Sequence, residues 1–264
     1  MTTARRRPGR PPGTGGAPGS GQGRSSSTAA DAGQAPGTGQ AAGAGTATGC
    51  DEAAGSGPPV PDRPLVLVDV QNCFSDGFTP PELPVAGVAE VDWAGLLDCW
   101  LDGGSPVVAT RDWHVDPGEH FAPPGTDPDF ATTWPRHGVA GTPGAELVPP
   151  VARRAGRLAA LFHKGQHGPG YSGFDGTVGA DGTGQRLHDW LRTRGAEGIA
   201  VAGVATSHCV RATVLDALRL GYAVDVLADY CVGVTPEAHC RALAELRAAG
   251  ATIRSGAVRA RGAP

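Results

Sequence analysis

The sequence predicts a three-layer, Rossmann-like α/β fold in which helices cover both faces of a parallel sheet of about six strands. Short, almost unbroken apolar runs alternate along the chain with stretches whose apolar residues recur at helical spacing. Unbroken apolarity is typical of strands that are covered on both faces. Strands that alternate with helices imply right-handed crossovers and parallel pairing.

The predicted elements follow one another from residue 65 onward. Six apolar runs are assigned to strands: residues 65–68, 106–109, 158–162, 199–204, 223–227 and the less apolar 251–253. Four stretches with helical periodicity are assigned to helices: residues 88–101, 184–194, 209–220 and 236–249. Gly221 and Gly250 stand directly after two of these stretches, where glycine commonly ends a helix.

Composition divides the chain into three parts. Residues 1–61 are mostly Gly, Ala, Pro, Ser and Thr, with too few aliphatic side chains to offset the entropy of ordering, so we predict a disordered tail. Residues 62–258 are long enough for one domain with its own core. Residues 259–264 are predicted to form a short C-terminal tail.

Net charge and hydropathy limit the kinds of molecule that we expect the protein to bind. The formal net charge of −4 gives no reason to expect nucleic-acid binding, and the arginines near the N-terminus are interpreted as a solvated tail or a weak polyanion-binding arm. No apolar stretch is as long as a membrane span, and the N-terminus lacks the apolar core of a secretory signal. We therefore expect a cytoplasmic monomer or small homo-oligomer that acts on a small molecule, without membrane or nucleic-acid partners.

Three polar residues are predicted to meet at one edge of the sheet, because chemistry in such sheets gathers beyond the carboxyl ends of the strands. Cys209 lies where a strand turns through small residues into a helix, a position that favours the thiolate. Asp69 is a candidate proton acceptor and Lys164 a candidate cation, on strands expected to be neighbours. Each residue alone has a simpler interpretation: Cys209 as a packed thiol, Asp69 as a turn cap and Lys164 as a solvated side chain. Their convergence on one edge of the sheet favours a catalytic role.

A second group of polar residues has the spacing of a metal site. Asp112 and His114 stand two apart at the end of a predicted strand, and His120 follows a Pro-Gly turn that can fold back. His137 lies further along, in Trp-Pro-Arg-His, and spacing alone does not show whether it is a ligand. One carboxylate and three imidazoles suit one divalent metal ion, Zn, Fe or Mn, without choosing among them. The remaining histidines are interpreted as core or surface residues: His163, His167, His188, His208 and His239.

The motifs around these residues resemble those of a known family. Val-Asp-Val-Gln-Asn contains Asp69, Thr-Arg-Asp-Trp-His-Val-Asp-Pro-Gly-Glu-His-Phe contains the first three metal candidates, and His-Lys-Gly contains Lys164. Trp-Pro-Arg-His ends at His137, and Gly-Val-Ala-Thr-Ser-His-Cys-Val contains Cys209. From about residue 65 to residue 253 the chain resembles the nicotinamidases, also called pyrazinamidases, within the isochorismatase-like cysteine hydrolases.

The resemblance implies an amidohydrolase that converts nicotinamide to nicotinate and ammonia, as in NAD salvage, and that also accepts pyrazinamide. It implies a cysteine thioester intermediate, a metal ion held by all four candidates including His137, and a cis peptide bond between Val204 and Ala205. The backbone amides of Ala205 and Cys209 would form the oxyanion hole. Three aromatic residues would wall the pocket for the ring, although without the family they are interpreted as ordinary core: Phe74, Trp134 and Tyr171.

Three residues depart from the family pattern. Cys73 and Ser207 stand where aspartate is common, and Gly138 stands where cysteine is common. None of them removes a proposed catalytic group or ligand, and Cys73 adds an oxidisable thiol near the site. Two other functions stay open: another isochorismatase-like amidohydrolase, and a catalytically silent binding protein on the same fold.

Overall fold

A computed structural model describes residues 61–258, and the predicted tails lie outside this range except for Pro61. Its strands are β1 (Leu65–Val68), β2 (Val107–Asp112), β3 (Ala160–Lys164), β4 (Thr177–Val178), β5 (Gly198–Val204), β6 (Ala223–Val232) and β7 (Thr252–Arg254). They form one sheet in the order β4-β3-β2-β1-β5-β6-β7. Every pair is parallel except β3 with β4, so the predicted α/β sheet is confirmed.

Two features of the sheet differ from the prediction. β4 is an additional strand that sequence patterning does not reveal, because two residues are too few to show a period. The expectation that the strands before Asp69 and Lys164 are neighbours is wrong, since β2 lies between β1 and β3. The pairing of β2 with β3 also continues past the apolar run, as far as Asp112 and Lys164.

Helices connect the strands on both sides of the sheet. They are α1 (Trp93–Asp102), α2 (Pro149–Ala152), α3 (Leu187–Arg192), α4 (Arg211–Arg219) and α5 (Pro236–Ala248). All four predicted helices are present, and the short α2 is additional. The Asp92 carboxylate accepts a hydrogen bond from the amide of Gly95 at 2.8 Å and so caps α1. Gly221 and Gly250, with φ of 88° and 107°, confirm the predicted ends of α4 and α5.

The core consists of two apolar clusters, one on each face of the sheet. Side chains of β1 alternate between them, with Val66 and Val68 in one cluster and Leu65 and Leu67 in the other. The first cluster includes residues of α3, α4 and α5, and the second includes residues of α1 and α2. Both faces of the strands are therefore buried, which explains their unbroken apolar sequences and confirms the three layers. None of the described helices has the length and apolarity needed to cross a membrane.

Candidate active site

The predicted catalytic residues meet at the carboxyl edge of the sheet. Asp69 directly follows β1, Lys164 is the last residue of β3, and Cys209 lies in a π-helical turn, Thr206–Val210, between β5 and α4. All three residues are buried. Nζ of Lys164 is 2.9 Å from Oδ2 of Asp69 and 3.5 Å from Sγ of Cys209. The structure thus brings together three residues that are far apart in the sequence.

Lys164 reaches Asp69 across the strand that separates them. Asp112, at the end of β2, is the register partner of Lys164, and its Oδ1 lies 2.6 Å from Nζ. One buried ammonium group therefore faces two carboxylates. Burial lowers the pKa of Lys164, but attraction by Asp112 and Asp69 outweighs that effect and holds the pKa well above its ordinary value. Lys164 is accordingly a constant positive charge in the site.

Asp69 has an unusual backbone conformation, and its carboxylate accepts a hydrogen bond from a threonine hydroxyl. Its φ of 50° lies in the left-handed region, which few residues other than glycine adopt. Oγ1 of Thr110 donates a hydrogen bond to Oδ1 of Asp69 at 2.7 Å. Burial raises the pKa of Asp69 to about 6, with Lys164 opposing the rise and Asp112 adding to it. A carboxyl group with such a pKa can accept a proton and return it near neutral pH.

Cys209 is a thiol rather than a thiolate in this environment. Burial raises its pKa well above the ordinary value, Lys164 opposes the rise, and Asp69 and Asp112 add to it. Burial therefore outweighs the stabilisation of a thiolate by Lys164, and the contribution of the helix start stays a prediction. A thiol in this state needs a base beside it before it can act as a nucleophile.

The metal candidates form a second buried cluster beside the first. One nitrogen atom from each of His114, His120 and His137 lies within 4.8 Å of the other two. Oδ2 of Asp112 is 3.8 Å from Nε2 of His114 and 3.9 Å from Nε2 of His137. Asp112 thus joins the two clusters, because its other carboxylate oxygen contacts Lys164.

The histidines have the protonation and hydrogen bonds that metal ligands need. Burial lowers the pKa of His120 and of His137 to about 4 and also lowers that of His114, so each ring is neutral near pH 7. Nδ1 of His114 is 2.6 Å from the carbonyl oxygen of Gly165, and Nδ1 of His137 is 2.7 Å from that of Pro135, which leaves Nε2 of both rings available. Within residues 61–258, Nε2 of His114 and Nδ1 of His120 are buried without a hydrogen-bond partner. One carboxylate and three neutral imidazoles fit Zn, Fe or Mn.

Comparison with known proteins decides the family. The isochorismatase domain matches residues 64–258. The chain belongs to the isochorismatase family. A nicotinamidase/pyrazinamidase of Mycobacterium tuberculosis is 42% identical over 194 residues, which are 72% of this chain and 97% of that protein. A nicotinamidase of Escherichia coli is 39% identical over 212 residues, covering 74% and 95% of the two chains. The solved pyrazinamidase of Pyrococcus horikoshii in complex with zinc is 32% identical with a TM-score of 0.56, over 74% of this chain and 98% of that chain.

Three aromatic side chains of this isochorismatase domain lie beside the histidine cluster. Nε1 of Trp134 donates a hydrogen bond to Oη of Tyr171 at 2.9 Å. The ring of Phe74 is 5.5 Å from that of His137, and the ring of Tyr171 is 5.8 Å from that of His120. His120 and Tyr171 also line a cleft of about 570 Å³. The aromatic residues are therefore close to the metal candidates, and their contact with a substrate stays a prediction.

The turn that carries Cys209 has the local geometry expected from the family. The peptide bond between Val204 and Ala205 is cis, which confirms that expectation. The carbonyl oxygen of Ala205 accepts hydrogen bonds from the amides of His208 at 2.9 Å and Val210 at 3.3 Å, and these bonds close the turn. The use of the Ala205 and Cys209 amides as an oxyanion hole stays a prediction.

Gln71 is a site residue that spacing and residue type did not single out. Its Nε2 donates to the carbonyl oxygen of Asp112 at 3.0 Å, and its Oε1 accepts from the amide of Asp112 at 2.8 Å. Nε2 also donates to the carbonyl oxygen of Ala145 at 2.9 Å. The side chain is fully buried and fixes the backbone of the residue that joins the two clusters. The signal in the sequence is a glutamine that follows an apolar strand by only three residues.

The three positions that depart from the family pattern have distinct surroundings. Burial raises the pKa of Cys73 well above its ordinary value, which opposes the expected oxidation of this thiol. Gly138 has φ of 54°, and a Cβ atom there would lie 2.9 Å from the Cβ atom of Asp112. Oγ of Ser207 is 3.0 Å from Nδ1 of His208. None of these residues blocks the contact between the two clusters.

Proposed function

We propose that this protein is a nicotinamidase, which hydrolyses nicotinamide to nicotinate and ammonia and also accepts pyrazinamide. The observation that carries the proposal is the contact of Lys164 with Asp69, Asp112 and Cys209, directly beside three histidines. The relatives from Mycobacterium tuberculosis and Escherichia coli, which bear the names nicotinamidase/pyrazinamidase and nicotinamidase, support the choice of substrate.

The proposed binding mode uses both clusters. The substrate carboxamide lies at Cys209, and its flat ring lies among Phe74, Trp134 and Tyr171, which offer aromatic faces and edges. One divalent metal ion, Zn, Fe or Mn, is held by the second cluster, for which the zinc complex of the Pyrococcus horikoshii enzyme is a precedent. The proposed ligands are Asp112, His114, His120 and His137. When bound, the metal supplies a Lewis-acidic contact for the ring nitrogen and so helps to orient the amide.

In the proposed mechanism, Asp69 moves one proton in both directions. The thiol of Cys209 gives its proton to Asp69 while the sulfur attacks the carboxamide carbon, and the carbonyl oxygen takes the displaced electron pair. The amides of Ala205 and Cys209 stabilise this oxyanion, each donor contributing about 3 kcal/mol. Asp69 then protonates the departing nitrogen, the carbon–nitrogen bond breaks, and ammonia leaves a thioester. Water attacks the thioester carbon and gives a proton to Asp69. The carbon–sulfur bond then breaks, the sulfur takes that proton back from Asp69 to restore the thiol, and the acid leaves as nicotinate after losing its proton to solvent. Lys164 balances the carboxylate charge throughout.

A substrate panel tests the proposal. Ammonia release is measured from nicotinamide, pyrazinamide, benzamide and maleamate, with reduced protein of known metal content. We expect turnover of the first two, slower turnover of benzamide, which lacks a ring nitrogen, and none of maleamate. Release from maleamate alone would support another amidohydrolase of the family. Release from no amide, with metal and thiol intact, would support the silent binding protein.

Activity is expected to decline below about pH 6. Asp69 must be ionised to accept the thiol proton, and burial raises the pKa of Asp69 to about 6. The quantity to measure is kcat/KM for nicotinamide against pH, which should fall tenfold per pH unit on the acid side. Thr110→Val removes the hydrogen bond that stabilises the ionised carboxylate, so the decline should move to higher pH. Thr177→Val is the matched control, because within the described chain its buried hydroxyl has no hydrogen-bond partner.

The origin of this decline can be separated from loss of metal. The pKa values of His120 and His137 are near 4, so metal content should be unchanged between pH 5.5 and pH 7. A pH profile that is flat down to pH 5, or one that Thr110→Val and Thr177→Val shift equally, would contradict the assignment of Asp69 as the base.

Loss of one histidine ligand is expected to weaken metal binding. His114→Ala should lower the affinity for Zn by at least about 100-fold, a larger effect than loss of a group that only supports a ligand. Affinity is measured by competition with a chromophoric chelator, and His167→Ala, which removes an exposed histidine outside the cluster, is the control. Wild-type protein stripped of metal should lose activity and regain it with the cognate ion among Zn, Fe and Mn. Equal Zn affinity for the two variants would remove His114 from the ligand set.

A further inference from the structure

We propose that His239 is a positioning residue that holds the nucleophile turn, Thr206–Val210, in the conformation that Cys209 needs for attack. This inference rests on the proposed function, because it concerns the reactivity of the same thiol. His239 is the fourth residue of α5 and is interpreted from sequence alone as an ordinary core or surface residue. The structure instead connects it to the start of the nucleophile turn.

The connection is a single buried hydrogen bond between side chains. Nδ1 of His239 is 2.9 Å from Oγ1 of Thr206, and the two residues are 6% and 0% exposed. The other buried residues of α5 are apolar: Ala242, Leu243 and Leu246. A polar ring on this otherwise apolar face loses its water contacts on folding, and the bond to Thr206 replaces one of them. Its partner stands three residues before the nucleophile candidate.

The nucleophile turn is tied to the domain at both ends by a threonine hydroxyl. At its start, Thr206 is bonded to His239 of α5. Near its end, Oγ1 of Thr213 in α4 donates to the carbonyl oxygen of Cys209 at 2.7 Å. Between these anchors the backbone follows a π-helical path, which is rare and occurs mostly at functional sites. Side-chain contacts from α5 and α4 hold this path, and His239 supplies one of these two anchors.

The base of the His239 side chain is closely packed. A Cβ atom on Gly233 would lie only 2.5 Å from the Cβ atom of His239, so the segment after β6 packs directly against this side chain. The hydroxyl of Thr235 accepts a hydrogen bond from the amide of Ala238 at 3.2 Å and fixes the first turn of α5. Burial lowers the pKa of His239, so the bond to Thr206 involves a neutral ring near pH 7. His239 can therefore transmit the position of α5 to the turn.

Removal of the anchor should change reactivity without changing binding. His239→Ala is expected to lower kcat about tenfold, because small displacements of a reacting group slow catalysis strongly, with KM and metal content within twofold of wild type. The rate at which iodoacetamide alkylates Cys209, followed by mass spectrometry in the absence of substrate, should fall in parallel. His239→Asn should restore both rates, because its terminal amide group places a hydrogen-bonding atom where Nδ1 lies. His239→Gln, which mimics Nε2 instead, should not.

Two further comparisons separate positioning from general stability. His188→Ala removes a similar contact, between Nδ1 of His188 and Oη of Tyr222 at 3.0 Å, from a site outside the nucleophile turn, and should leave kcat and alkylation unchanged. Thr206→Val combined with His239→Ala should be no slower than either single variant, because both remove the same bond.

Three results would overturn the inference: unchanged kcat and alkylation in His239→Ala, additive losses in the double variant, or equal behaviour of the Asn and Gln variants. The alkylation rates need no amide substrate. They would therefore still report on the turn if the protein failed to hydrolyse nicotinamide, which keeps failure of this inference distinct from failure of the proposed function.

Discussion

Cys209→Ala is expected to abolish ammonia release from nicotinamide while the domain stays folded and keeps its metal. The loss in kcat should be at least about 10⁴-fold, because Cys209 is the thiol that contacts Lys164, directly beside the proposed base Asp69. Sγ of Cys209 is 3.5 Å from Nζ of Lys164, and the proposed ligands belong to the neighbouring cluster. Replacing the thiol therefore removes the nucleophile and leaves the histidine nitrogens in place.

The measurement compares wild-type protein, Cys209→Ala and a matched cysteine variant. Cys231→Ala also removes a buried free thiol, but its Sγ is 3.9 Å from the carbonyl oxygen of Val201 and has no contact with Lys164. It should keep most of the activity. Wild-type protein with nicotinamide and hydroxylamine should form the hydroxamate, because hydroxylamine captures a thioester, and Cys209→Ala should form none. Hydrolysis by metal-loaded Cys209→Ala at a tenth of the wild-type rate would refute the covalent mechanism.

Lys164→Met is expected to remove activity and also to destabilise the fold. The lysine is fully buried between Asp69 and Asp112, and its loss leaves two carboxylates without their shared counter-charge. Removing one member of a buried ion pair commonly lowers the unfolding free energy by about 3–5 kcal/mol. The pKa of Asp69 should rise further, so less of the carboxylate is ionised at neutral pH and kcat should fall with it. Urea unfolding and ammonia release on the same preparations measure the two effects.

Two variants show whether charge is the cause. Asp69→Asn combined with Lys164→Met should recover part of the lost stability but none of the activity, because it removes one uncompensated charge together with the base. Arg157→Met breaks a solvent-exposed pair with Asp102, whose contact is 2.6 Å, and should change stability far less because water screens exposed charges. If Lys164→Met and Arg157→Met unfold at the same urea concentration, the buried charges around Lys164 do not stabilise the fold.

Much of the fold was predictable because its signals are local. Every apolar run assigned to a strand became one, and β1 has the same bounds as its run. β4 was missed because its two residues show no period, and its pairing with β3 depends on where the connecting loop lies. The order of β1, β2 and β3 was also mistaken, because apolar runs carry no information about which strands are neighbours.

The composition of the site was predictable to a similar extent. Asp69, Lys164 and Cys209 do meet, although β2 separates the first two, because the long lysine side chain reaches across Asp112. The protonation of Cys209 was not predictable, since it depends on burial and on two carboxylates from other strands. The role of Gln71 does not follow from spacing, because the partners of its side chain lie 41 and 74 residues away.

The sequence by itself determined the strands and helices, the polar residues at the sheet edge and the family motifs, since each depends on periodicity or spacing along the chain. Only the tertiary structure decided how those residues act on one another. It made Asp112 the link between Lys164 and the histidines, kept Cys209 protonated, and anchored its turn to His239. The physical reason is that hydrogen bonds, pKa values and ion pairs depend on distance and burial, which strand order and packing set among residues far apart in sequence.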